Sequence, residues 1–339
     1  MWAWVKENNK RGLISISKDI PIILDNEVLV KVLAAGICGT DISIYQDHRV
    51  VPEMLTIGHE FCGEIIKIGR SVKNFEIGDI VTPDIIVNCE RCKNCINGHI
   101  EQCMNLREIG IHIDGGFAEF VAVPEVALHK LPNEFSAVKG ASIEPVAVAY
   151  SALEKIKDNI LGKSVIINGP GAIGLYLTQL AIASGASSVI VLGRKTSNQR
   201  LEMAKKFGAK TINISEENIR NSLIDFVHSD KVDYIFEASG IGNTIGNLTE
   251  YLKPHGKMIL LGNYKELSEI NFIDMVRNEY SICGSFCYTH SEFEAALQLV
   301  VDDKINIQDM VKLYSSDKLE DGFEDAINRR CVKAIIECR

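Results

Sequence analysis

Ser164-Val165-Ile166-Ile167-Asn168-Gly169-Pro170-Gly171-Ala172-Ile173-Gly174 decides how much of this chain folds. An apolar run leads directly into a Gly-x-Gly-x-x-Gly turn at the mouth of a helical segment. In isolation the glycine pattern is a weak signal. Here it follows a strand and opens a helix, which is the context dinucleotide binding requires. The glycines permit a tight turn and close backbone approach, and the helix N-terminus offers N–H groups and a positive dipole to a pyrophosphate. The plain alternative is a strand–turn–helix connection without a ligand. Gly169, Gly171, Ala172, Ile173 and Gly174 are the candidate cofactor-binding residues at this turn.

The surrounding sequence alternates apolar strands with helical segments: strands at 164–168, 188–192, 232–236 and 258–261, and helices from about 173 and 199. That alternation predicts an α/β domain with a doubly wound parallel sheet. Upstream, residues 1–145 alternate short β-branched runs, at 27–32, 64–68 and 118–123, with Gly, Pro and Asn turns, which predicts a β-rich domain. After Tyr280 come a strand, a helix around 292–300 and a closing strand at 333–337 that could complete the first domain. The expected division is therefore 1–145 with 286–339, and 146–285.

NAD-binding versions of the fold usually end the second strand with an acidic residue that holds the ribose hydroxyls. This strand ends in Gly193-Arg194-Lys195, with Arg200 one turn further. A carboxylate would repel a 2′-phosphate, whereas a glycine leaves room and an arginine offers a charge-assisted fork. The expectation is NADP(H) in preference to NAD(H), with Gly193, Arg194 and Arg200 at the adenosine end. The alternative is that both arginines are solvated surface charges.

Cys89, Cys92, Cys95 and Cys103 stand in a Cys-x2-Cys-x2-Cys-x7-Cys run. That spacing suits one closed tetrahedral thiolate site for zinc. The same ligands could hold an iron–sulfur cluster, and a pair of disulfides is the bland reading. Residues 1–20 lack a basic start, an apolar core and a cleavage site, so no signal peptide is expected. A reducing, cytoplasmic location follows, in which thiols stay available to metal. A length of 339 residues favours two domains, and a net charge of −9 argues against a nucleic-acid surface. No apolar stretch approaches the ~20 residues that span a bilayer, and the charges are interspersed along the chain, so both ends should be folded. Cys62, Cys283, Cys287, Cys331 and Cys338 have no ligand-like spacing and are expected to pack.

Upstream of the quartet, Gly36-Ile37-Cys38-Gly39-Thr40-Asp41 and Gly58-His59-Glu60 each offer zinc-ligand types. Taken in order with the thiolate quartet and the glycine turn, and with Gly78-Asp79, Gly115-Gly116-Phe117-Ala118-Glu119 and Glu237-Ala238-Ser239-Gly240, they make the chain resemble the zinc-containing medium-chain dehydrogenase/reductase family. The resemblance runs from near the N-terminus to the last strand. It implies a GroES-like catalytic domain formed by both chain ends, a Rossmann domain, and an active site in the cleft between them. It also implies a dimer or tetramer acting on a small molecule, with no nucleic acid or membrane as partner. By resemblance Cys38 and His59 are catalytic-zinc ligands. Where the alcohol dehydrogenase branch has a further cysteine, this chain reads Ala141-Ser142-Ile143-Glu144-Pro145, so Glu144 takes that place, as in the polyol branch of sorbitol and galactitol-1-phosphate dehydrogenases. Glu144 could instead answer a helix dipole. Glu60 either lies behind the metal as an outer charge or approaches it transiently.

The resemblance thus implies two zinc ions per subunit, one catalytic and one structural. Thr40 would carry the proton, and Asp41 would orient His59, although local turn capping suits both equally. Some relatives place a histidine where this chain has Ser43, so the proton relay could end in water. Ala238, Ser239 and Gly262 complete the expected cofactor contacts, and residues 285–288 are expected near nicotinamide or substrate. Three functional readings remain open. The first is an NADP(H)-dependent dehydrogenase of polyols, sugar alcohols or secondary alcohols. The second is an NAD-dependent enzyme for a phosphorylated sugar alcohol or an amino alcohol such as threonine. The third is a non-catalytic zinc- and nucleotide-binding protein, against which an intact Cys38, His59, Glu144 and Thr40 argue.

Overall fold

The computed structural model describes residues 1–338. The chain divides into two compact units, one of residues 1–144 with 289 onward and one of Pro145–Tyr288.

The second unit is a six-stranded, wholly parallel sheet. From edge to edge its strands are Lys210–Asn213, Ser188–Gly193, Ser164–Asn168, Val232–Glu237, Leu252–Leu260 and Ser281–Gly284. In sequence order within the unit this is 3-2-1-4-5-6. The winding direction reverses between Ser164–Asn168 and Val232–Glu237, so the loops after these two strands diverge and leave a crevice at their carboxyl ends. Each residue of Ser164–Asn168 is buried, as expected for a central strand covered on both faces. Ile166, Ile190, Leu192, Ile212, Ile235 and Met258 form the core of the sheet. The sequence reading missed Lys210–Asn213, whose four residues carry too little pattern to separate from a loop. It also started the Leu252–Leu260 strand too late. Pro254, the positive φ of His255 and a register shift opposite Val232–Tyr234 disguise the entry of that strand as a turn.

The first unit is built on a seven-stranded sheet. Glu27–Gly36 is its centre, antiparallel to Glu60–Ile68 on one side and to Lys333–Glu337 on the other, with Phe120–Pro124 pairing its first half. Beyond Glu60–Ile68 lie Ile80–Pro83 and Leu128–Lys130. Alternation is broken where Val28, Leu29 and Val30 are all buried, because this long strand is covered on both faces. Among the described residues, no helix is long and apolar enough to cross a membrane.

Candidate functional site

Cys38, His59 and Glu60 come together at the end of the central strand pair of the first unit, their ligand atoms all within 4.8 Å of one another. Cys38 lies two residues past the strand Glu27–Gly36 and is the N-cap of the short helix Gly39–Tyr45. Its amide donates to Asp41 Oδ2 at 2.9 Å. The other Asp41 oxygen, Oδ1, lies 3.6 Å from His59 Nδ1. Both atoms are buried without another hydrogen-bond partner, so the carboxylate fixes the helix start with one oxygen and faces the imidazole with the other. The capping contact of Asp41 is thus made, and its second oxygen is left facing the imidazole.

His59 is held from behind by glycines. Gly58 has φ +95° and its carbonyl accepts the Gly116 amide at 2.7 Å, while Gly115 and Phe117 bond the backbone of Thr56 and Ile57. A Cβ on Gly58 would lie 2.9 Å from the Phe117 ring. The Gly115-Gly116-Phe117 run is thus a brace for the imidazole-bearing segment.

Electrostatically the cluster favours a cation. Burial alone would push His59 down, but the Asp41 carboxylate, the Cys38 thiol and the Glu144 carboxylate together raise it well above its usual 6.5. Asp41 is itself pushed up by its complete burial, against the pull of His59. A sulfur, an imidazole and carboxylates whose combined field holds a proton on a buried ring suit a divalent metal, which replaces that proton. Glu144 is buried in the first turn of the helix Ile143–Glu154, outside the 4.8 Å set but close enough to act on His59. Thr40 and Ser43 are half-buried on the helix that follows Cys38, one turn apart.

Glu60 forms a buried ion pair with Lys333, whose ammonium also donates to the Ile37 carbonyl at 3.1 Å. Gly36 makes room for this pair, since a Cβ there would crowd the Glu60 carboxylate and lie 3.0 Å from Lys333 Cε. Sequence reasoning missed Lys333. The signal was a lysine set directly before the apolar Ala334-Ile335-Ile336 run of the closing strand Lys333–Glu337.

The four sulfurs of Cys89, Cys92, Cys95 and Cys103 also gather within 4.8 Å of one another. None of the ten cysteines is in a disulfide. Backbone amides point at the sulfurs: those of Cys89 and Asn105 each lie 3.3 Å from Cys103 Sγ. Amides of Arg91 and Cys92 pull the Cys89 thiol down to about 6, whereas burial pushes Cys103 up to about 11. Amides aimed at sulfur stabilise thiolates, the state that ligates zinc. Of the other cysteines, Cys62 and Cys338 are buried and pushed up to about 12 by burial, while Cys283, Cys287 and Cys331 are partly buried.

In the second unit the glycine turn lies at the switch point of the sheet. Gly169 has φ +106°, and a Cβ on it would stand 2.8 Å from Ser239 Cα. A Cβ on Gly174 would collide with the Gly169 carbonyl, whereas one on Gly171 meets nothing within 4 Å. The three glycines therefore serve the turn, open approach and helix–strand packing respectively. Gly171 is the N-cap of the helix Ala172–Ala183, and no side chain caps it, so the first-turn amides have no side-chain acceptor. Gly193 ends its strand against Pro170 and Leu201, Arg194 follows it exposed, and Arg200 is half-buried on the helix Asn198–Lys206.

The loops bearing Ala238, Ser239 and Gly262 are tied by Glu237, which is completely buried. Its Oε1 accepts from Asn168 Nδ2 and the Ser239 amide, each at 3.0 Å, and its Oε2 meets the Tyr264 hydroxyl. That hydroxyl in turn accepts the Gly262 amide at 3.1 Å. Burial and the facing carboxylate raise the Tyr264 phenol, keeping it a donor. Asn168 and Tyr264 had no signature as single residues in the sequence.

Residues 24–133 match the family model of the alcohol dehydrogenase GroES-like domain, and residues 172–302 that of the zinc-binding dehydrogenases. The chain is 30% identical to an L-threonine 3-dehydrogenase of Burkholderia mallei, over 99% of each chain. It superposes with a TM-score of 0.92 on a putative zinc-binding dehydrogenase from Sinorhizobium meliloti bound to NADP, at 30% identity and over all of both chains. Galactitol-1-phosphate dehydrogenase from Escherichia coli gives a TM-score of 0.91 at 28% identity, again over all of both chains. The chain belongs to the zinc-containing medium-chain dehydrogenase/reductase family and is a zinc-dependent alcohol dehydrogenase using NAD(P).

Proposed function

We propose that this protein moves a hydride between NADP(H) and a polyol, sugar alcohol or secondary alcohol, with Cys38, His59 and Glu144 as the catalytic-zinc ligands and the cysteine quartet as a purely structural second zinc site. The observation that carries this reading is the Cys38–His59–Asp41 constellation, its imidazole and carboxylate buried, in which surrounding anions hold a proton on a ligand-type ring. When bound, zinc polarises the substrate's hydroxyl or carbonyl oxygen, and the nicotinamide gives or accepts the hydride. The rest is the work of side chains. Asp41 keeps the His59 ring in one orientation through the Nδ1 side. Thr40 takes the proton of the substrate hydroxyl and passes it toward solvent by way of Ser43, one turn on. The buried Lys333 holds Glu60 as an outer charge rather than a permanent ligand.

The preference for NADP(H) rests on the strand end Gly193-Arg194, which has no carboxylate to repel a 2′-phosphate. The NADP-bound relative from Sinorhizobium meliloti supports it. A second reading, an amino alcohol as substrate, is favoured by the threonine dehydrogenase relative.

A steady-state panel tests both points: NADPH and NADH, each paired with ketoses, ketose phosphates, cyclic ketones and 2-amino-3-ketobutyrate. The expected result is turnover of ketoses or simple ketones with NADPH favoured at least ~10-fold in kcat/KM, equivalent to about 1.4 kcal/mol of transition-state binding. Turnover confined to 2-amino-3-ketobutyrate would move the assignment to the amino alcohol. Equal use of NADH would remove the NADP(H) preference, and no turnover at all would contradict the activity.

A further inference from the structure

Away from the two cysteine-containing clusters, a third set of ligand-type side chains converges in the first unit. Asp84, His129 and His290 bring their ligand atoms within 4.8 Å of one another. Asp84 directly follows the strand Ile80–Pro83, and His129 is in the antiparallel neighbour Leu128–Lys130. His290 is the first residue of the helix His290–Val301. The three thus come from two adjacent strand ends and a helix start widely separated in sequence.

The hydrogen bonds around His129 determine what the cluster can hold. Its side chain is 1% exposed, stacked on Phe293 at 4.1 Å and tilted against the His290 ring at 4.6 Å. Nδ1 is bonded to the Glu294 carboxylate, one helical turn after His290. An ionised carboxylate has no proton to give and only accepts. Nδ1 must therefore carry the proton. With its proton on Nδ1, the neutral ring presents Nε2 as a lone pair. Nε2 has no hydrogen-bond partner, and it faces Asp84 Oδ2, 1% exposed, across 4.0 Å. The other Asp84 oxygen accepts the Ile86 amide at 2.8 Å. A buried ring nitrogen with no hydrogen-bond partner is unfavourable unless something positive or a donor lies against it.

We propose that Asp84 Oδ2, His129 Nε2 and His290 bind a divalent cation of the zinc class, with Glu294 as the carboxylate that orients the His129 ring. One ion about 2.1 Å from nitrogen and from oxygen at the tetrahedral angle sets them ~3.4 Å apart, so binding would draw the two atoms together by about half an ångström. A carboxylate on the far nitrogen of a metal-ligating histidine is the usual way of fixing its tautomer. His290 is exposed and also lines a pocket of about 400 Å³ with Asn26, Phe75, Glu90 and Glu125, which provides an entry path. A bound ion would staple the start of the helix His290–Val301 to the edge of the sheet.

The test adds Co²⁺ to the full-length protein with its cysteine sites already filled with zinc. The expected result is one further equivalent bound, with a visible ligand-field band and no thiolate-to-metal charge transfer. His290→Ala, a change at an exposed residue that leaves the fold intact, should weaken that binding at least tenfold without changing hydride-transfer activity. Glu294→Ala should weaken it by about 10–100-fold. Absence of the further equivalent, meaning that water or an imidazolium fills the gap, would overturn the proposal. So would binding that survives unchanged in both variants, or a cobalt spectrum with thiolate charge transfer.

Discussion

Asp41 shows how one residue can be read two ways and be both. In the sequence it suited a turn cap as well as a partner for His59; one oxygen accepts the Cys38 amide and the other faces His59 Nδ1 at 3.6 Å. Asp41→Asn keeps an acceptor for the Cys38 amide but removes the charge facing the imidazole. It should lower zinc affinity at the Cys38 site by about 10–100-fold, measured by chelator competition, with little change in Tm. Lys333 makes a sharper prediction. Removing one partner of a buried ion pair leaves the other uncompensated, so Lys333→Met should cost about 3–5 kcal/mol in chemical denaturation. Adding Glu60→Gln should recover part of that loss. If the double variant were no more stable than the single, the pair would not be coupled.

At this scale the ligand types were legible because Cys38 and His59 sit in short, unusual strings of small residues. Lys333 was not, because a pairing across nearly the whole chain leaves no local trace. The same holds for His129, which resembles any histidine in a short strand until the fold brings Asp84 and Glu294 to its two nitrogens.

Among the elements, the glycine turn separates folding from binding. Gly174→Ala puts a methyl into the Gly169 carbonyl and should lower Tm by several degrees along with nucleotide binding. Gly171→Ala meets nothing in the protein, so Tm should hold while Kd for the dinucleotide rises at least tenfold by calorimetry. Equal Tm losses in the two variants would contradict these roles. The thiolate loop is an independent element. In protein stripped of metal, Cys89, pulled down to about 6 by backbone amides, becomes thiolate as pH rises through that value. It should alkylate first of the four, with a rate midpoint near pH 6, and Cys103 last, because burial holds its thiol at about 11. Peptide mass spectrometry after a brief iodoacetamide pulse reads the order.

Elements of strong period were legible from sequence. Ser164–Asn168 and its helix came out within a residue or so, because a buried parallel strand and a glycine turn are local signals. Leu252–Leu260 was legible only in its last third, since a bulge through Pro254 and Gly256 reads as a turn without its partner strand.

For the whole molecule, motif order along the chain specified the family, and the matched family models bear that out. By resemblance, motif order also assigned the chemistry to the Cys38–His59 cluster, and donor type gives the physical argument for that choice. Four sulfurs around one ion leave no position for a substrate oxygen, whereas the Cys38–His59 cluster is mixed in donor type and flanked by the half-buried Thr40. Cys95→Ser should therefore lose one zinc and stability but keep hydride transfer in whatever fraction remains folded.

The most direct test of the central claim is the NADPH-linked turnover of Glu144→Ala, folded and still carrying zinc at Cys89, Cys92, Cys95 and Cys103. Losing a metal that stabilises transition-state charge by several kcal/mol should cut kcat/KM by ~1000-fold or more. A variant within tenfold of the wild type would contradict the assignment of Glu144, and with it the Cys38–His59–Glu144 site as the seat of catalysis.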